Sequence, residues 1–472
     1  MIPSSATALE LGFEGQVSLE GSDNVEGENS QGEQRGVLQT GLFGVYGEQR
    51  GRLLEAQFRG ELDIQNILTD GVADGTSSIT RFLGAAQYKI TPRSWRWFVG
   101  NILGGVREDN GIQSISYRDL DQRNIFITGP SFSYDTSDIS QAKARLLYVN
   151  QSQDNADLSS LYTLDLACHW DLPRGNRIGA FASHVYTDSP SRATPVQEDA
   201  STGNSFDIGD YYRNSLSASY LRSMGLYSFY TELGGTHYEA EDDSLSGFRG
   251  LLRATRRLGR ESRVSLTLSR DLYDQSLNSV QSLIASGSDA VSVELDAPGF
   301  FNETRLKADL ALVRADTRFS VGAGLALLDY RLLSVLNAEE LRADLEDRQQ
   351  AYVYASWLQR LSGRWSSEVL LNFETQDYDN LDDNSESLLV TSELVYRFTR
   401  SIDLKIGFSR DQSTGVRTRF GTGQPVATDT DSAENRVYVS LRWKPPSRAS
   451  QELTIKLKSL LLSGDTGAPE FD

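Results

Sequence analysis

Cysteine, proline, methionine and long apolar runs are scarce in this sequence of 472 residues. The single cysteine, Cys168, excludes an intrachain disulfide. No stretch approaches the roughly 18 apolar residues that a transmembrane helix needs, and the mean hydropathy is −0.40. The opening residues, MIPSSATALE, lack a basic region and an apolar core, so we expect a chain from which a signal peptide has been removed.

Positive charge is also in short supply. The chain has 46 lysines and arginines against 65 aspartates and glutamates, which gives a net charge of −19. We expect no nucleic-acid partner, because binding to phosphates needs a basic footprint. What the sequence does contain is 40 glycines, 20 tyrosines and 19 phenylalanines, a composition typical of an all-β membrane protein.

The stretch from Leu53 to Leu68, LLEAQFRGELDIQNIL, alternates with a period of two. Small and apolar residues occupy one side, and polar or charged residues from Glu55 to Gln65 occupy the other. A strand separates such residues onto two faces, whereas a helix would mix them. The polar face carries charges of both signs and suits a wet lumen. A transmembrane β-strand needs about 9–11 residues and belongs to a closed barrel.

The same alternation recurs along the chain and predicts about twenty strands, within a range of 18–22 for the fold class. The candidate strands are Thr7–Glu20, Gly36–Tyr46, Arg52–Asn66, Ser78–Ile90, Trp95–Arg107, Asn124–Tyr134, Ala142–Gln151, Ser160–Asp171, Arg177–Tyr186, Tyr212–Arg222, Leu226–Glu239, Phe248–Leu258, Arg263–Tyr273, Glu303–Arg314, Thr317–Tyr330, Gln350–Leu361, Arg364–Gln376, Ser387–Phe398, Ile402–Asp411 and Asn435–Trp443.

Short and long links alternate between these strands. Short links include LPRGN after Asp171 and SMG after Arg222. The long links are polar and comprise Gly21–Arg35, Thr187–Asp210, Gln275–Gly299, Leu332–Arg348 and Gln412–Glu434. A two-sheet sandwich shows no such alternation of link length. The sequence therefore predicts a transmembrane antiparallel up-and-down β-barrel with short periplasmic turns and long extracellular loops.

The end of the barrel is marked by Lys444-Pro445-Pro446, because proline cannot donate a hydrogen bond to a strand ladder. We predict a barrel over residues 1–444 and a periplasmic tail over 445–472. The tail alternates again in QELTIKLKSLLLSG, which leaves an additional strand as the alternative.

Aromatic residues near the short turns, Trp95, Trp97, Trp170, Trp365, Phe398 and Trp443, predict a periplasmic girdle and an outer-membrane location.

Two segments carry a family resemblance. The first is the strand and acidic step Val17-Ser18-Leu19-Glu20-Gly21-Ser22-Asp23-Asn24-Val25. The second is Arg118-Asp119-Leu120-Asp121-Gln122-Arg123-Asn124, which leads into Ile127-Thr128-Gly129-Pro130-Ser131. With its strand and loop rhythm, the chain resembles the outer-membrane β-barrel porins encoded beside exopolysaccharide export genes. The resemblance implies an outer-membrane location and a link to polysaccharide secretion, and it carries over no catalytic residue.

A group of basic residues is the main candidate site. Alternation directs Arg253, Arg257, Arg305, Lys307 and Arg318 into the lumen, where guanidinium and ammonium groups could guide carboxylates, sulfates or phosphates. We call these five residues the basic wall. The alternative is a structural salt-bridge network with acidic lumen residues. The acidic partners predicted for such a network are Glu55, Glu61, Asp63, Glu232 and Asp309.

Metal and catalytic chemistry find little support. Clustered loop carboxylates lack EF-hand spacing, so we predict neither a metal site nor a cofactor. An enzyme would have to use histidines such as His184 and His237, the second with Glu239 and Asp242 nearby, to activate water. No nucleophile elbow accompanies them. We therefore predict that the protein is not an enzyme and keep an outer-membrane hydrolase as a minor alternative.

The sequence favours an outer-membrane channel for hydrophilic solutes, anions among them, and most concretely an exopolysaccharide export port. The alternative is a structural or interaction barrel with a plugged lumen, filled by an inward-folded loop such as Gln275–Gly299, and with surface-binding loops. The expected partners are outer-membrane lipids and lipopolysaccharide, together with a polysaccharide or a periplasmic export component. An open, basic lumen would favour the channel, and a filled lumen the alternative.

Overall fold

The computed structural model describes residues 9–24, 35–68, 76–91, 94–107, 121–153, 156–188, 210–240, 243–274, 291–292, 300–331, 347–378, 384–420, 425–429 and 432–443. Within these ranges no helix is long and apolar enough to cross a membrane. The predicted tail, residues 445–472, lies outside the described residues.

Twenty long strands form one closed antiparallel barrel, as predicted. They are β1 (Leu9–Ser22), β2 (Gly36–Arg50), β3 (Leu54–Ile67), β4 (Thr76–Thr91), β5 (Trp95–Arg107), β6 (Asp121–Ser137), β7 (Ser140–Gln153), β8 (Ala156–Leu172), β9 (Asn176–Asp188), β10 (Tyr211–Met224), β11 (Tyr227–Ala240), β12 (Asp243–Arg257), β13 (Arg263–Asp274), β15 (Phe300–Val313), β16 (Thr317–Arg331), β17 (Arg348–Arg360), β18 (Trp365–Tyr378), β19 (Asn384–Arg397), β20 (Ile402–Phe420) and β22 (Ser432–Trp443). Each overlaps one predicted strand. Two short strands, β14 (Val291–Ser292) and β21 (Pro425–Asp429), were not predicted.

The alternation of the sequence becomes two faces of the wall. On β10, Tyr211, Arg213 and Ser215 are buried while the residues between them are exposed. The exposed set carries large apolar side chains such as Leu216, which is 67% exposed in the isolated chain. An outward apolar surface of this kind is what a membrane barrel presents to lipid. All six tryptophans belong to the outward set.

The periplasmic turns are short. Two to five residues separate the paired strands at this end, from β2–β3 through to β19–β20. The turn Pro173–Gly175 uses left-handed backbone at Arg174 (φ 65°) and Gly175 (φ 74°), and Gly225 (φ 58°) does the same between β10 and β11. Glycine accepts this conformation without a steric penalty, which is why short turns favour it.

The extracellular links are less uniform than predicted. Only two residues separate β7 from β8 and β11 from β12, because both hairpins continue their ladders into segments that we expected to be loop. The predicted loop Gln412–Glu434 is likewise shorter, since β20 runs on to Phe420 and pairs with β21. The predicted loop Gln275–Gly299 contains β14, which pairs in parallel with Val106 and Arg107 at the extracellular end of β5.

The first and last strands close the barrel. β1 and β22 pair over eight positions, from Gly15 opposite Trp443 to Ser22 opposite Arg436. Beyond the last pair, the side-chain amide of Asn24 donates to the carbonyl of Ala433 (3.4 Å), and the Ser22 hydroxyl donates to Glu434 (2.5 Å). The acidic step that carried the family resemblance therefore lies on the closing seam.

Candidate functional site on the lumen wall

The predicted basic wall lies on the inward face. On β12 the outward residues Phe248 and Leu252 are 55% and 52% exposed, whereas Arg249 between them is buried and points inward. The same parity turns Arg253 and Arg257 into the lumen. Arg305 and Lys307 on β15 and Arg318 on β16 share the inward face with them. The five predicted acidic residues, Glu55, Glu61, Asp63, Glu232 and Asp309, are inward as well.

The ion pairs are more local than the predicted network. Arg305 Nε lies 2.7 Å from Glu303, and Lys307 Nζ lies 3.3 Å from Asp309, two positions along the same strand in each case. On β11, Glu232 pairs instead with Arg249 at 3.0 Å.

The acidic residues of β3 have partners on β3 and β4. Glu61 pairs with Arg59 and Arg81, Asp63 pairs with Arg81, and Glu55 pairs with Lys89. No ion pair joins β3 to the basic wall among the described residues, because β3 lies far around the barrel from β12–β16.

Three arginines form a separate group near the periplasmic ends of their strands. Arg257, Arg263 and Arg318 are exposed, and none has a carboxylate within 4 Å in the described part of the chain. Arg257 and Arg263 stand directly opposite each other on β12 and β13. Like charges in that arrangement destabilise a sheet, so packing alone does not favour them. We call these three residues the periplasmic basic cluster.

Two tyrosines lie flat against the neighbouring part of the wall. Tyr352 and Tyr354 on β17 stand opposite Gly324 and Gly322 on β16. A Cβ at either glycine would overlap the tyrosine ring opposite it. The glycines therefore create the space in which the rings cover the backbone of β16. The Tyr354 hydroxyl donates to Asp309 on β15, which fixes that ring across three strands.

Polar groups surround the two rings. Lys307 Nζ lies 5.6 Å from the centre of the Tyr354 ring, within the range of a cation–π contact. The side-chain amides of Gln350 on β17 and Gln376 on β18 donate to Glu374 on β18 at 2.6 and 2.8 Å. We call the following set the lumen strip: Arg305, Lys307, Asp309, Gln350, Tyr352, Tyr354 and Glu374. It combines aromatic faces with amides and charges, which suits a hydroxyl-rich solute.

The sector beside the lumen strip is open to water. No described side chain of β17, β18 or β19 is buried. By contrast, many inward apolar residues of β2–β9 are buried. They are Leu38, Ile79, Leu83, Phe98, Ile102, Ile125, Ile127, Leu147, Val149, Leu161, Phe181 and Val185. Inward side chains here are covered completely in places, as at Ile102, which is 0% exposed. The lumen is thus packed along β2–β9 and accessible along β17–β19.

The extracellular ends of β13 and β15 extend the packed part of the lumen to β10–β12. The ladder between β12 and β13 ends at Gly250 opposite Arg270, although both strands continue. Above that point Leu272 and Phe300 pack on the inward rings of Tyr211 and Tyr238. The Phe300 ring lies 4.7 Å from that of Tyr238, edge to face. The upper ends of β13 and β15 therefore lie inside the wall formed by β10–β12.

A buried polar cluster lies beneath this aromatic contact. Arg249 bridges Glu232 at 3.0 Å and Asp271 at 3.3 Å, and Thr236 donates to Asp271 at 3.0 Å. All four are buried, so this pairing satisfies groups that would be costly to leave alone. The cluster joins β11, β12 and β13 and secures the inward-folded end.

Comparison with known proteins supports the fold. No family model matches the sequence, and no curated protein matches it. Among solved structures, the FrpB iron transporter from Neisseria meningitidis superposes with a TM-score of 0.52 at 8% identity, covering 92% of this chain and 81% of that one. The siderophore receptor PirA from Pseudomonas aeruginosa superposes with a TM-score of 0.45 at 10% identity, covering 91% and 80%. The likeness to FrpB shows the fold, a large closed antiparallel barrel.

The barrel resides in a bacterial outer membrane. Its closed twenty-strand wall leaves no sheet edge, and an apolar outward face carries aromatic residues near the short turns. These are the two conditions under which strands cross a membrane.

The histidines considered for catalysis face outward. The Nδ1 atom of His184 lies 2.7 Å from Oδ1 of Asn214, and that of His237 lies 2.8 Å from the Ser246 hydroxyl. Neither has a carboxylate partner among the described residues, and Asp242 lies outside them. No group of residues in the described ranges has the arrangement of a metal site. Among the described residues, the histidine–carboxylate pair that the hydrolase alternative would need is not formed, and the Nδ1 atoms of the two rings contact Asn214 and Ser246 instead.

Sequence reasoning missed the tyrosines and amides of the lumen strip. The signal was present in Gln350-Ala351-Tyr352-Val353-Tyr354, where alternate residues are polar or aromatic. It was overlooked because tyrosine fits either face of a barrel strand. Only the register with Gly322 and Gly324 shows that the rings lie inside.

Proposed function

We propose that this protein is an outer-membrane channel for a hydrophilic, anionic polymer, and most concretely an exopolysaccharide export port. The observation that carries the proposal is the lumen strip beside the accessible sector of β17–β19. Sugar rings offer apolar faces that pack on aromatic rings and hydroxyl edges that hydrogen bond to amides and carboxylates. Tyr352, Tyr354 and Gln350 supply both kinds of contact within one patch.

The charge distribution supports an anionic solute. In the lumen strip, Arg305 and Lys307 are each neutralised by a carboxylate two positions away. The positive charge without a carboxylate partner in the described chain lies instead at Arg253 and in the periplasmic basic cluster, toward the end from which an exported polymer would enter. A positive entrance raises the local concentration of a polyanion, and paired charges further along allow the polymer to be released.

The resemblance to barrel porins encoded beside exopolysaccharide export genes leads to the same substrate class. It also makes a periplasmic export component a partner in this proposal. Such a partner would contact the short turns, where Arg257 and Arg263 end the ladder between β12 and β13.

Planar-bilayer recording with acidic oligosaccharides tests the proposal. We expect the purified barrel to conduct, and oligogalacturonate to block the current transiently. Replacing both lumen tyrosines (Tyr352→Ala and Tyr354→Ala) should shorten the blocks at least about threefold, since stacking contacts are worth roughly 0.5–1.5 kcal/mol. Tyr396→Ala is the matched control, because Tyr396 lies on the outward face of β19. Blocks of equal length in all three proteins would contradict the proposal.

The plugged barrel is the second candidate. Two observations favour it, namely the buried inward apolar residues of β2–β9 and the parallel pairing of β14 with β5. β5 lies eight positions around the wall from β13, so this pairing reaches across the extracellular end of the lumen. A folded protein that shows no conductance at any voltage would support this candidate and exclude the channel.

A further inference from the structure

The outer face of the barrel carries a groove of about 500 Å³ across β8–β12. Ala182 and Gly235 form its floor, and their small size creates the depression. Leu164, Leu166 and Leu216 project beside it and are exposed on the outward face. The groove therefore opens toward lipid and not toward the lumen.

A row of polar residues borders the groove. His184, Asn214, His237 and Ser246 occupy directly paired positions on four consecutive strands, β9 to β12. Their neighbours Val185, Arg213 and Tyr238 are buried, which confirms that the row points outward. Polar groups on the lipid face of a barrel are costly unless they find partners.

The rows above and below the polar row show how deep it lies in the membrane. Directly above it Tyr186 and Tyr212 stack at 5.0 Å between ring centres, as an extracellular aromatic girdle. Directly below it lie Ala182 and Leu216, opposite each other. Adjacent rows of one face differ by about 5 Å along the membrane normal for tilted strands. The polar row thus lies just under the headgroup level of the outer leaflet.

The hydrogen bonds of the two histidines show which of their ring nitrogens have no partner among the described residues. Nδ1 of His184 must donate to the Asn214 oxygen, so a neutral ring presents Nε2 as an acceptor. Nδ1 of His237 contacts the Ser246 hydroxyl, which can donate or accept, and in the tautomer whose Nδ1 donates, Nε2 of this ring is an acceptor as well. Neither Nε2 atom has a partner in the described part of the chain. The row therefore offers acceptor sites that need O–H or N–H donors at the depth where acyl chains join their headgroup.

We propose that this groove binds one molecule of lipopolysaccharide from the outer leaflet. Its acyl chains pack on Leu164, Leu166 and Leu216, and the hydroxyl and amide groups of its acyl linkages donate to His184 and His237. A glycerophospholipid joins its chains through esters, which offer acceptors and no donors at this depth. The proposal is independent of whether the lumen transports anything.

Lipid retention by the purified, full-length barrel tests the site. The protein is expressed in a Gram-negative outer membrane, exchanged into detergent and assayed for bound 3-hydroxy fatty acid and for phospholipid. We expect about one lipopolysaccharide molecule per barrel. The double variant His184→Leu/His237→Leu should bind lipid A at least about tenfold more weakly, because two hydrogen bonds are lost.

The control removes a polar pair of the same kind elsewhere on the lipid face. The side-chain amide of Asn101 donates to Asn124 at 2.8 Å on the outward side of β5 and β6. Asn101→Leu/Asn124→Leu should retain lipopolysaccharide at the wild-type level. Ala182→Phe fills the groove, leaves both histidines in the sequence and should also abolish retention. It tests the site independently if the histidine variant fails to fold.

Two results would overturn the proposal. One is equal lipopolysaccharide retention by the wild type, the histidine variant and Ala182→Phe, each with normal heat-modifiable mobility. The other is a wild-type barrel whose retained lipid is phospholipid alone.

Discussion

Asp23 accepts two hydrogen bonds from Asn435, one from its backbone N–H at 2.7 Å and one from its side-chain amide at 2.8 Å. The two residues are separated by 412 positions and meet where the first strand joins the last. The backbone N–H of Asp23 returns a hydrogen bond to the Asn435 carbonyl at 3.3 Å. These hydrogen bonds lie at the extracellular end of the junction between β1 and β22, where the two strands pair at only eight positions.

Asp23→Ala should loosen that junction. It removes the two carboxylate oxygens to which Asn435 donates. Hydrogen bonds to a charged acceptor contribute about 1.5–3 kcal/mol each when partly buried. We expect the free energy of unfolding in urea to fall by about 1–3 kcal/mol in total, because Asp23 is only partly buried and water replaces part of the two lost bonds. Asp138→Ala is the control, because Asp138 is exposed in a periplasmic turn. Equal unfolding midpoints for the two variants would show that these hydrogen bonds do not hold the junction.

The strands themselves could be predicted because each must keep one face apolar. The period of two in Arg263–Tyr273 or Ile402–Asp411 reflects that requirement, and the structure reproduces both. Strand ends were harder to predict at the extracellular side. There the chain leaves the membrane, so the ladder between β20 and β21 continues without an apolar face to signal it.

The packing inside the lumen could not be predicted. Leu272 has the parity of the lipid-facing residues Leu266 and Leu268, so alternation assigns it to the outside. It is buried on Tyr238 because the end of β13 leaves β12 and turns inward. Alternation shows which residues share one face of a strand. It does not show that the end of the strand leaves the wall and packs on the inner face of its neighbour.

The periplasmic basic cluster should control ion selectivity. Replacing its three arginines by glutamine (Arg257→Gln, Arg263→Gln and Arg318→Gln) should leave assembly intact, since these residues are exposed and have no carboxylate partner in the described chain. The reversal potential in a salt gradient should shift in the direction of greater cation selectivity. The shift should shrink at high salt, because the Debye length falls from about 10 Å at 0.1 M to about 3 Å at 1 M.

Arg249→Gln is the contrasting variant. It breaks a buried bridge to Glu232 and Asp271, so it should lower thermal stability and leave the reversal potential unchanged. A triple variant that unfolds early at an unchanged reversal potential would assign a structural role to the cluster.

The glycines under the tyrosine rings should set the width of the accessible passage. A Cβ at Gly324 overlaps the ring of Tyr352, so Gly324→Ala should swing that ring away from the wall and into the lumen. We expect a lower single-channel conductance with little change in stability. Gly363→Ala, in the turn between β17 and β18, meets no atom within 4 Å and serves as the control. An unchanged conductance in Gly324→Ala would place the passage elsewhere.

Two adjacent residues of β13 test the assignment of faces. Leu266 is outward, whereas Ser265 is inward and stands opposite Asp309. Leu266→Arg places a charge on the lipid face at a cost of about 2–4 kcal/mol near the midplane. Ser265→Arg places the same charge in the lumen beside a carboxylate. Assembly yield, read from heat-modifiable mobility, should fall for the first variant only.

The most direct test of the account is conductance block by thiol modification at two lumen positions. Single cysteines are introduced in a Cys168→Ala background, one by Thr391→Cys on the accessible β19 and one by Val149→Cys on the packed β7. A bulky, water-soluble methanethiosulfonate is added to the open channel in a planar bilayer. We expect rapid modification and loss of current with Thr391→Cys, and neither with Val149→Cys. A folded barrel that never conducts, or one that is modified equally fast at both positions, would contradict the passage along β17–β19.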